Sequence, residues 1–274
     1  MSVGPPTRGY QHLITSIGAR LDGSPLVLLL DIDGTLAPIA PRPQDAAVPA
    51  ATRETLEQLV HLPAVVVALI SGRSADDVQR MIDVEGTWII GNHGLELRTP
   101  SGDLAMTAEA REYEPAVADA ARSLARIEVL APGAFVEDKR WSLSIHYRMA
   151  DPSVVPALKQ RTSQVAREFG LREMEGKMIV ELRPPVHIDK GTAAVALADK
   201  LGALDDGASL LSAGDDRTDE DAFRALRAIK AGAVTVRVAT DDDDSSATVA
   251  EFVLGSPDEI RQLLVWLVAR RTHA

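Results

Sequence analysis

Cysteine is absent from this 274-residue chain, so disulfide bonds, thiolate metal sites and cysteine nucleophiles are all excluded. Aromatic residues make up only 4% of the sequence. Basic charge is scarce as well, because 29 lysines and arginines face 40 acidic residues, which gives a net charge of -11. The sequence also lacks a basic patch interleaved with aromatic residues, and this disfavours nucleic-acid binding. A phosphate ligand must therefore be met by a local cluster of groups or by a metal ion.

Long apolar runs are missing too. The longest, residues 64–70, is far shorter than the ~20 residues that a membrane-spanning helix needs. The first six residues lack the basic-then-apolar pattern of a secretory signal. We therefore expect no membrane association and a cytoplasmic location. The overall composition, 46% apolar and 25% charged, is typical of one large globular domain or two smaller ones.

Short apolar runs alternate with amphipathic stretches, which is the pattern of a parallel sheet covered by helices on both faces. Strands are predicted over residues 26–30, 65–70, 87–90, 209–213, 234–239 and 251–254. A final helix is predicted after Ser256, with Pro257 in its first turn and Glu259 closing a capping box. The predicted fold class is therefore α/β, with a Rossmann-like parallel-sheet core.

The pattern changes in the middle of the chain, where strands with one apolar and one polar face alternate with helices. In one strand Leu143 and Ile145 alternate with polar residues, and the strand from Lys177 repeats this with Met178 and Val180 on its apolar face. Antiparallel sheets with one solvated face have this pattern. Helices are predicted over residues 108–127 and 152–169. We predict an inserted α/β cap domain with an antiparallel sheet over residues 108–187, in a core domain of residues 1–107 and 188–274.

Two carboxylates directly follow the first apolar strand, in the segment Asp31-Ile32-Asp33-Gly34-Thr35. In an open parallel sheet, ligands bind beyond the carboxyl ends of the strands. Acids one residue apart repel each other, and a cation or a shared proton relieves that repulsion. A polar turn or a calcium loop is the alternative, but Arg42 stands where a calcium loop has its last acid.

Three later segments add complementary groups. Ser71-Gly72-Arg73 offers a hydroxyl and backbone N–H groups to phosphate oxygens, although a helix cap alone would also explain it. Lys190 opens a helix, where an acid would be the favourable residue, and this misfit favours a functional role. Gly214-Asp215-Asp216 and Asp219 place acids at another helix start, as either caps or metal ligands.

In this order the four segments resemble the haloacid-dehalogenase-like phosphatase superfamily, and the insertion between the serine and lysine segments resembles its larger type of cap. Further segments are similar to the trehalose-6-phosphate phosphatase family. They are Gly91-Asn92-His93-Gly94 with Glu96, Glu137-Asp138-Lys139, Ser144-Ile145-His146-Tyr147-Arg148, Glu181-Leu182-Arg183-Pro184 and the acidic segment from Gly214 to Glu220. The resemblance covers about residues 25–267.

The resemblance implies a Mg²⁺-dependent phosphomonoesterase that hydrolyses trehalose 6-phosphate to trehalose and inorganic phosphate, in trehalose biosynthesis, through an aspartyl-phosphate. Asp31 would be the nucleophile and Asp33 the acid and base. The phosphate would be bound by Gly34, Thr35, Ser71, Gly72 and Lys190. The metal would be held by Asp31, the Asp33 carbonyl and Asp215. Asp219 would contact Lys190 or the metal's waters, and Asp216 would do either this or bind the metal itself.

The resemblance further implies that the cap selects the sugar. Glu137, Lys139, Lys177 and Glu181 would bind glucose hydroxyls, since hydroxyls favour charged partners. Arg73, Asn92, His93 and His146 complete the expected substrate-binding set. For each charged residue of the cap, a solvated sheet face is the alternative.

Two other functions remain open. The same chemistry suits another sugar phosphate, such as sucrose phosphate or the phosphate of a mannosyl compatible solute. A different class is a non-catalytic sugar-phosphate-binding partner of a trehalose-phosphate synthase, although the intact set of Asp31, Asp33, Lys190 and Asp215 argues against it. Functional coupling to such a synthase is a further expectation.

Overall fold

The computed structural model describes residues 6–176, 178–239 and 248–273. The chain forms two compact units, which we call the core unit (Met1–Ala105 with Ile188–Ala274) and the cap unit (Met106–His187). Within the described residues, every helix is too short or too polar to cross a bilayer. The role of the cap unit in choosing a substrate stays a prediction.

Thirteen strands are labelled in chain order. They are β1 (Thr7–Arg8), β2 (Leu26–Leu30), β3 (Val65–Ile70), β4 (Trp88–Gly91), β5 (Glu96–Arg98), β6 (Leu104–Met106), β7 (Phe135–Asp138), β8 (Leu143–His146), β9 (Arg172–Gly176), β10 (Ile179–Arg183), β11 (Ser209–Gly214), β12 (Val234–Val238) and β13 (Phe252–Leu254). The α-helices of the described residues are α1 (Tyr10–Ile17), α2 (Ala50–Val60), α3 (Ala75–Ile82), α4 (Ala108–Arg111), α5 (Glu114–Leu124), α6 (Ile127–Leu130), α7 (Val155–Glu168), α8 (Lys190–Lys200), α9 (Arg217–Ile229) and α10 (Pro257–Thr272).

A nine-stranded sheet organises the core unit, in the order β1-β13-β12-β11-β2-β3-β4-β5-β6. The strand pairs from β1 to β4 along this order are parallel, and β5 is antiparallel to β4. The cap unit has a separate antiparallel sheet in the order β7-β8-β10-β9. The predicted α/β class, with a parallel core sheet and an antiparallel cap sheet, is confirmed.

Strands β2 and β3 are apolar throughout because helices cover both faces of the core sheet. Along β2, Leu28 and Leu30 belong to one apolar layer, whereas Val27 and Leu29 belong to the opposite one. Side chains of α1, α2, α3 and α10 build the first layer, and those of α8 and α9 build the second. This burial fixes the strand register, and the ends of β2, β3 and β11 are thereby set side by side.

One face of the cap sheet packs against helices of the cap unit. Leu143, Ile145, Val180 and Leu182 are buried with side chains from α5, α6 and α7. The predicted alternation of apolar and polar residues is thus confirmed along β8 and β10. The other face carries the polar residues of these strands.

Two elements of the cap unit differ from the sequence prediction. The prediction of a single helix over residues 108–127 is wrong, because the chain forms α4, α5 and α6 instead. Pro115 lies in the first turn of α5 and has no N–H to bond the preceding turn, so a continuous helix is interrupted there. The strand expected from Lys177 begins at Ile179, and Met178 is exposed with a φ of 64° rather than packed inward. Lys177 itself lies outside the described residues.

The cap of the last helix also differs in one contact. Ser256 accepts the N–H of Glu259, as predicted. The Glu259 carboxylate, however, accepts the N–H of Gly255, at 2.6 Å, where a capping box would use that of Ser256.

Candidate active site

Three neighbouring strand ends bring the sequence-predicted acids together. Asp31 follows β2, Ser71 follows β3, and Asp215 follows β11. Because β2 pairs in parallel with both of the others, these residues lie at one edge of the sheet. The N–H of Asp31 donates to the carbonyl of Ala213 at 2.9 Å, which fixes the exit of β2 against β11.

A buried ammonium group lies among these acids. Lys190 is the first residue of α8, and its Nζ is 2.7 Å from Asp31 Oδ1, 3.0 Å from Asp219 Oδ1 and 3.9 Å from Asp216 Oδ1. Burial opposes the charged form, but the three carboxylates outweigh it and hold the pKa of Lys190 well above its usual value. The cluster therefore carries a fixed positive charge beside Asp31.

Burial disfavours ionisation of two carboxyls beside this lysine. Burial raises the pKa of Asp31 to about 8, against the lowering effect of Lys190 and with a further rise from Asp215. Burial also raises the pKa of Asp215 to about 8, with added repulsion from Asp219 and Asp216. One oxygen each of Asp31, Asp215 and Asp219 lies within 4.8 Å of the others, so this group could hold a metal ion.

Asp219 and Asp216 have structural partners in this cluster. Asp219 Oδ1 accepts from Lys190, and its Oδ2 accepts the N–H groups of Asp215 and Asp216, both at 3.1 Å. Asp216 caps α9 by accepting the N–H groups of Thr218 and Asp219. Although burial opposes ionisation, Lys190 and these hydrogen bonds lower the pKa of Asp216 below its usual range. Both residues thus hold the loop that carries Asp215.

The turn after Asp31 packs tightly on that loop. The carbonyl of Ile32 accepts the N–H groups of the three residues from Thr35 to Ala37. Gly34 has a φ of 84°, and a Cβ there would collide with the Asp215 carboxylate. The hydroxyl of Thr35 is buried and has no hydrogen-bond partner in the described part of the chain. An unpaired buried hydroxyl at this turn suits a ligand oxygen.

Asp33 is bound by an arginine. Arg73 Nε lies 2.6 Å from Asp33 Oδ2, and its Nη2 lies 2.7 Å from Oδ1. The Asp33 side chain is nevertheless 38% exposed, in contrast to buried Asp31. Ser71 is buried, and its Oγ accepts the N–H of Arg73 at 3.1 Å. The structure thus places Arg73 on Asp33 and beside Ser71.

The segment after β4 braces the serine turn. Asn92 and His93 both have positive φ values, of 48° and 55°. The N–H of His93 donates to the carbonyl of Ser71 at 3.0 Å, and a Cβ on Gly72 would collide with the His93 ring. The buried side chain of Asn92 donates to Glu96 Oε1 at 2.9 Å. Asn92 and His93 therefore lie beside Ser71.

Sequence reasoning missed the role of a buried ion pair beneath the Asp215 loop. Arg237 Nη1 is 2.9 Å from Glu220 Oε1 and also donates to the carbonyl of Asp216 at 3.2 Å. Glu220 further accepts from the Thr248 hydroxyl and the Val249 N–H, at 2.6 and 2.8 Å. The sequence feature that could have indicated this ion pair is the single arginine in the otherwise uncharged strand β12.

The cap unit brings four of its predicted residues together on the polar sheet face. Lys139 Nζ lies 3.6 Å from Glu181 Oε1 and 4.0 Å from Glu137 Oε2. His146 Nε2 lies 2.8 Å from Glu137 Oε2. Two residues that were not predicted as site residues join them, because Ser144 Oγ lies 3.3 Å from Glu181 Oε1 and Arg183 pairs with Glu181 Oε2.

The family to which the chain belongs follows from its sequence relatives. The family model described as trehalose-phosphatase matches residues 29–258, which is more than half of the chain. The chain belongs to the trehalose-phosphatase family. The resemblance seen in its sequence is thereby confirmed.

Individual relatives agree with this family. A probable trehalose-phosphate phosphatase of Oryza sativa is 32% identical, over 92% of this chain and 68% of that protein. The trehalose-phosphate phosphatase of Mycobacterium avium is 35% identical over 86% of this chain, which spans 60% of that protein. An uncharacterized glycosyl hydrolase of Mycobacterium tuberculosis is 37% identical over 89% of this chain, which spans 18% of its length.

Solved structures share the fold. A trehalose-6-phosphate phosphatase related protein superposes with a TM-score of 0.79 at 24% identity, over 90% of this chain and 99% of that one. The C-terminal domain of the Candida albicans trehalose-6-phosphate phosphatase gives a TM-score of 0.77, also at 24% identity, over 97% of this chain and 99% of that one. The architecture of this chain is therefore that of known trehalose-phosphatase structures.

The ion pair beneath the Asp215 loop predicts a stability effect. Arg237→Met should lower the free energy of unfolding by about 3 kcal/mol, because it leaves Glu220 buried without its cation. Urea denaturation measures the change. Arg224→Met is the matched control, since Arg224 forms an exposed ion pair with Asp221 on α9 and its loss should have almost no effect. Equal losses in the two variants would contradict the importance of the buried pair.

The raised pKa of Asp215 predicts a pH-dependent response to metal. The folded metal-free protein binds this proton more tightly than the unfolded chain, so its stability falls as the pH rises from 3.8 to about 8. A cation has to displace the proton below that pKa. The rise in melting temperature on adding MgCl₂ should therefore be larger at pH 8 than at pH 6.

Asp215→Asn is the control for this measurement. It removes one of the two carboxyls whose pKa is about 8 and one ligand of the acidic cluster, so the effect of MgCl₂ should shrink at both pH values. A wild-type shift that is the same at pH 6 and pH 8 would disprove the linkage.

Proposed function

We propose that the chain is a Mg²⁺-dependent phosphatase that hydrolyses trehalose 6-phosphate to trehalose and inorganic phosphate. The observation that carries this proposal is the contact of 2.7 Å between buried Asp31 and the Lys190 ammonium, at the strand edge where Asp215 also lies. A carboxylate in this position is a nucleophile with a cation beside it. The family of the chain names the substrate class.

In the first step, an Asp31 oxygen forms a bond to phosphorus as the bond between phosphorus and the sugar oxygen breaks. Asp33 donates a proton to the departing oxygen. Both Asp33 oxygens accept from Arg73 in this structure, and each keeps a second lone pair on which Asp33 can hold that proton. The exposed position of Asp33 suits a group that exchanges protons.

In the second step, water hydrolyses the aspartyl-phosphate. Asp33, now ionised, takes a proton from the water as its oxygen bonds to phosphorus, and the bond to Asp31 breaks. The N–H of Gly34, also expected to bind phosphate, already donates to the carbonyl of Ala37 at 2.7 Å, so Gly34 shapes the turn instead. Lys190, the Ser71 and Thr35 hydroxyls, and the backbone N–H of Gly72 bind the phosphate oxygens. These donors are held by the packed turns described above, so they need little rearrangement when charge develops.

The residues of the core unit fit a magnesium ion. Asp31 and Asp215 supply carboxylate oxygens, and Asp33 supplies a backbone carbonyl, which is the kind of donor set that Mg²⁺ takes together with water and phosphate. Burial raises the pKa values of Asp31 and Asp215, and a bound cation would favour their ionised forms. When bound, Mg²⁺ would reduce the repulsion between the carboxylate nucleophile and the phosphate dianion.

The cap residues are proposed to bind the sugar hydroxyls. Glu137, Lys139 and Glu181 lie together on one sheet face, and His146 is bonded to Glu137. Ionised carboxylates accept from hydroxyls and ammonium groups donate to them, so the cluster can satisfy several hydroxyls at once. Lys177 stays in this proposed set, outside the described residues. Coupling to a trehalose-phosphate synthase also stays a prediction.

Replacing the nucleophile should remove activity without unfolding the protein. Asp31→Asn keeps the side-chain volume but not the nucleophilic oxygen, and we expect kcat to fall about 10³-fold or more. Phosphate release from trehalose 6-phosphate measures this, and circular dichroism confirms folding. Asp33→Asn should slow turnover while leaving the binding of a phosphate analogue nearly intact. Full activity in a folded Asp31→Asn variant would disprove the mechanism.

A substrate panel with and without EDTA tests the function itself. Trehalose 6-phosphate should give the highest kcat/KM, ahead of sucrose 6-phosphate and a mannosyl-glycerate phosphate, because the cap groups recognise particular hydroxyls. EDTA should abolish phosphate release, and MgCl₂ should restore it. Equal rates across the panel would reject sugar selection by the cap. No release from any sugar phosphate would point to a non-catalytic binding protein.

A further inference from the structure

An aromatic ring lies on the polar face of the cap sheet. Phe135 is the first residue of β7 and is 37% exposed. Val136, the next residue, packs against the apolar core of the cap unit, so Phe135 and Glu137 share the opposite face. The exposed part of this ring lies beside charged residues and is available to a ligand with an apolar face.

A second ring stacks on Phe135. The ring centroids of Phe135 and His146 are 4.6 Å apart, and the ring planes differ by 11°. The two residues are direct partners in the pairing of β7 with β8, so the strand register supports the stack. His146 Nε2 is also held by Glu137, at 2.8 Å. The ring pair is therefore fixed from two sides before any ligand arrives.

The pairing of the strands creates two adjacent rows with different chemistry. One row crosses the sheet through Phe135, His146 and Ile179, and it is mainly aromatic and apolar. The row two residues away crosses it through Glu137, Ser144 and Glu181, and it is polar and charged. Rows on one face of a sheet are about 7 Å apart along the strand. A ligand that covers both rows needs an apolar face next to polar groups.

A hexopyranose ring with equatorial hydroxyls has this division. Its flat faces present axial C–H bonds, and its rim presents hydroxyls. The faces suit an aromatic ring, and the rim suits carboxylates and an ammonium group. An axial hydroxyl projects from a flat face and would leave a polar group against the aromatic ring without a partner. The two rows therefore suit a sugar whose ring hydroxyls are all equatorial.

We propose that Phe135, supported by His146, is a stacking platform for a hexopyranosyl ring of the substrate and selects rings with equatorial hydroxyls. This inference rests on the proposed function, because it assigns a specificity-determining residue to the same substrate. Phe135 acts on sugar binding and takes no part in phosphoryl transfer. Phe135 therefore affects KM and the preference between sugars. It does not affect kcat for a phosphate ester without a sugar.

Steady-state kinetics of full-length variants test the platform. Phe135→Ala should raise KM for trehalose 6-phosphate about tenfold and leave kcat within about twofold, because the contact is made in both ground and transition states. Phe135→Tyr keeps the ring and should restore KM. With p-nitrophenyl phosphate, which has no sugar, all variants should match the wild type. Met149→Ala, at an exposed apolar residue of the cap unit outside the sheet, is the matched control.

Discrimination between epimers is the second readout. The wild type should prefer trehalose 6-phosphate over its galacto-configured analogue, which has an axial hydroxyl, and Phe135→Ala should reduce that preference about tenfold. Unchanged KM and unchanged preference in Phe135→Ala would overturn the platform. An equal loss with p-nitrophenyl phosphate would also overturn it, because the effect would then be structural.

These experiments distinguish failure of the stacking platform from failure of the proposed function. Hydrolysis of trehalose 6-phosphate by the wild type, together with wild-type behaviour of Phe135→Ala, overturns the platform alone. Absence of hydrolysis of every sugar phosphate by the wild type overturns both the platform and the proposed function.

Discussion

The contact between Lys190 and the buried carboxylates is the interaction on which the core unit depends. Lys190 stands at the start of a helix, where the helix dipole disfavours a cation, so only the acids around it hold the charge in place. Those acids come from the ends of β2 and β11 and from the start of α9. Four separate elements must therefore be positioned correctly for this charge cluster to form, and the buried apolar residues of the sheet do this by fixing the strand register.

The carboxyls around Lys190 differ in what they contact. The Asp219 oxygens accept from Lys190 and from the backbone of the Asp215 loop, and Asp216 caps α9. Burial raises the pKa values of Asp31 and Asp215 to about 8. A divalent cation would favour the ionised forms of these two carboxyls, since proton and metal compete for the same oxygens.

Much of the fold was predictable because hydrophobic periodicity is a local signal. The runs at residues 26–30 and 65–70 are strands with those bounds, and the alternation around Leu143 and Ile145 marks a sheet covered on one face. The prediction of one helix over residues 108–127 was wrong because it followed the apolar periodicity and gave too little weight to Pro115. The missing N–H of this proline interrupts the helix. The strand from Lys177 was placed too early because a positive φ at Met178 leaves no trace in periodicity.

The sequence predicted which residues form the candidate site, but not which hydrogen-bond partners each of them has. Motif spacing put Asp31, Lys190 and Asp215 at strand and helix ends, and parallel pairing then brings such ends together. Which oxygen each hydrogen bond uses depends on side-chain geometry, so the pairing of Arg73 with Asp33 had no signal in the sequence. The partners of Arg237 could not be predicted for a related reason. Glu220 is distant from Arg237 in the sequence and contacts it only because α9 packs on the sheet.

The two units solve different recognition problems by the same means. The core unit is proposed to bind an anion, and it holds a lysine among acids. The cap unit is proposed to bind a neutral sugar, and it also holds a lysine among acids, with Glu137 and Glu181 as its partners. Ion pairs that already satisfy one another give little general attraction to charge. A sugar hydroxyl binds favourably only where it can join this hydrogen-bond network. Selectivity in the cap unit would therefore depend on the directions of the hydroxyls, and a fixed aromatic ring beside the network can orient the sugar.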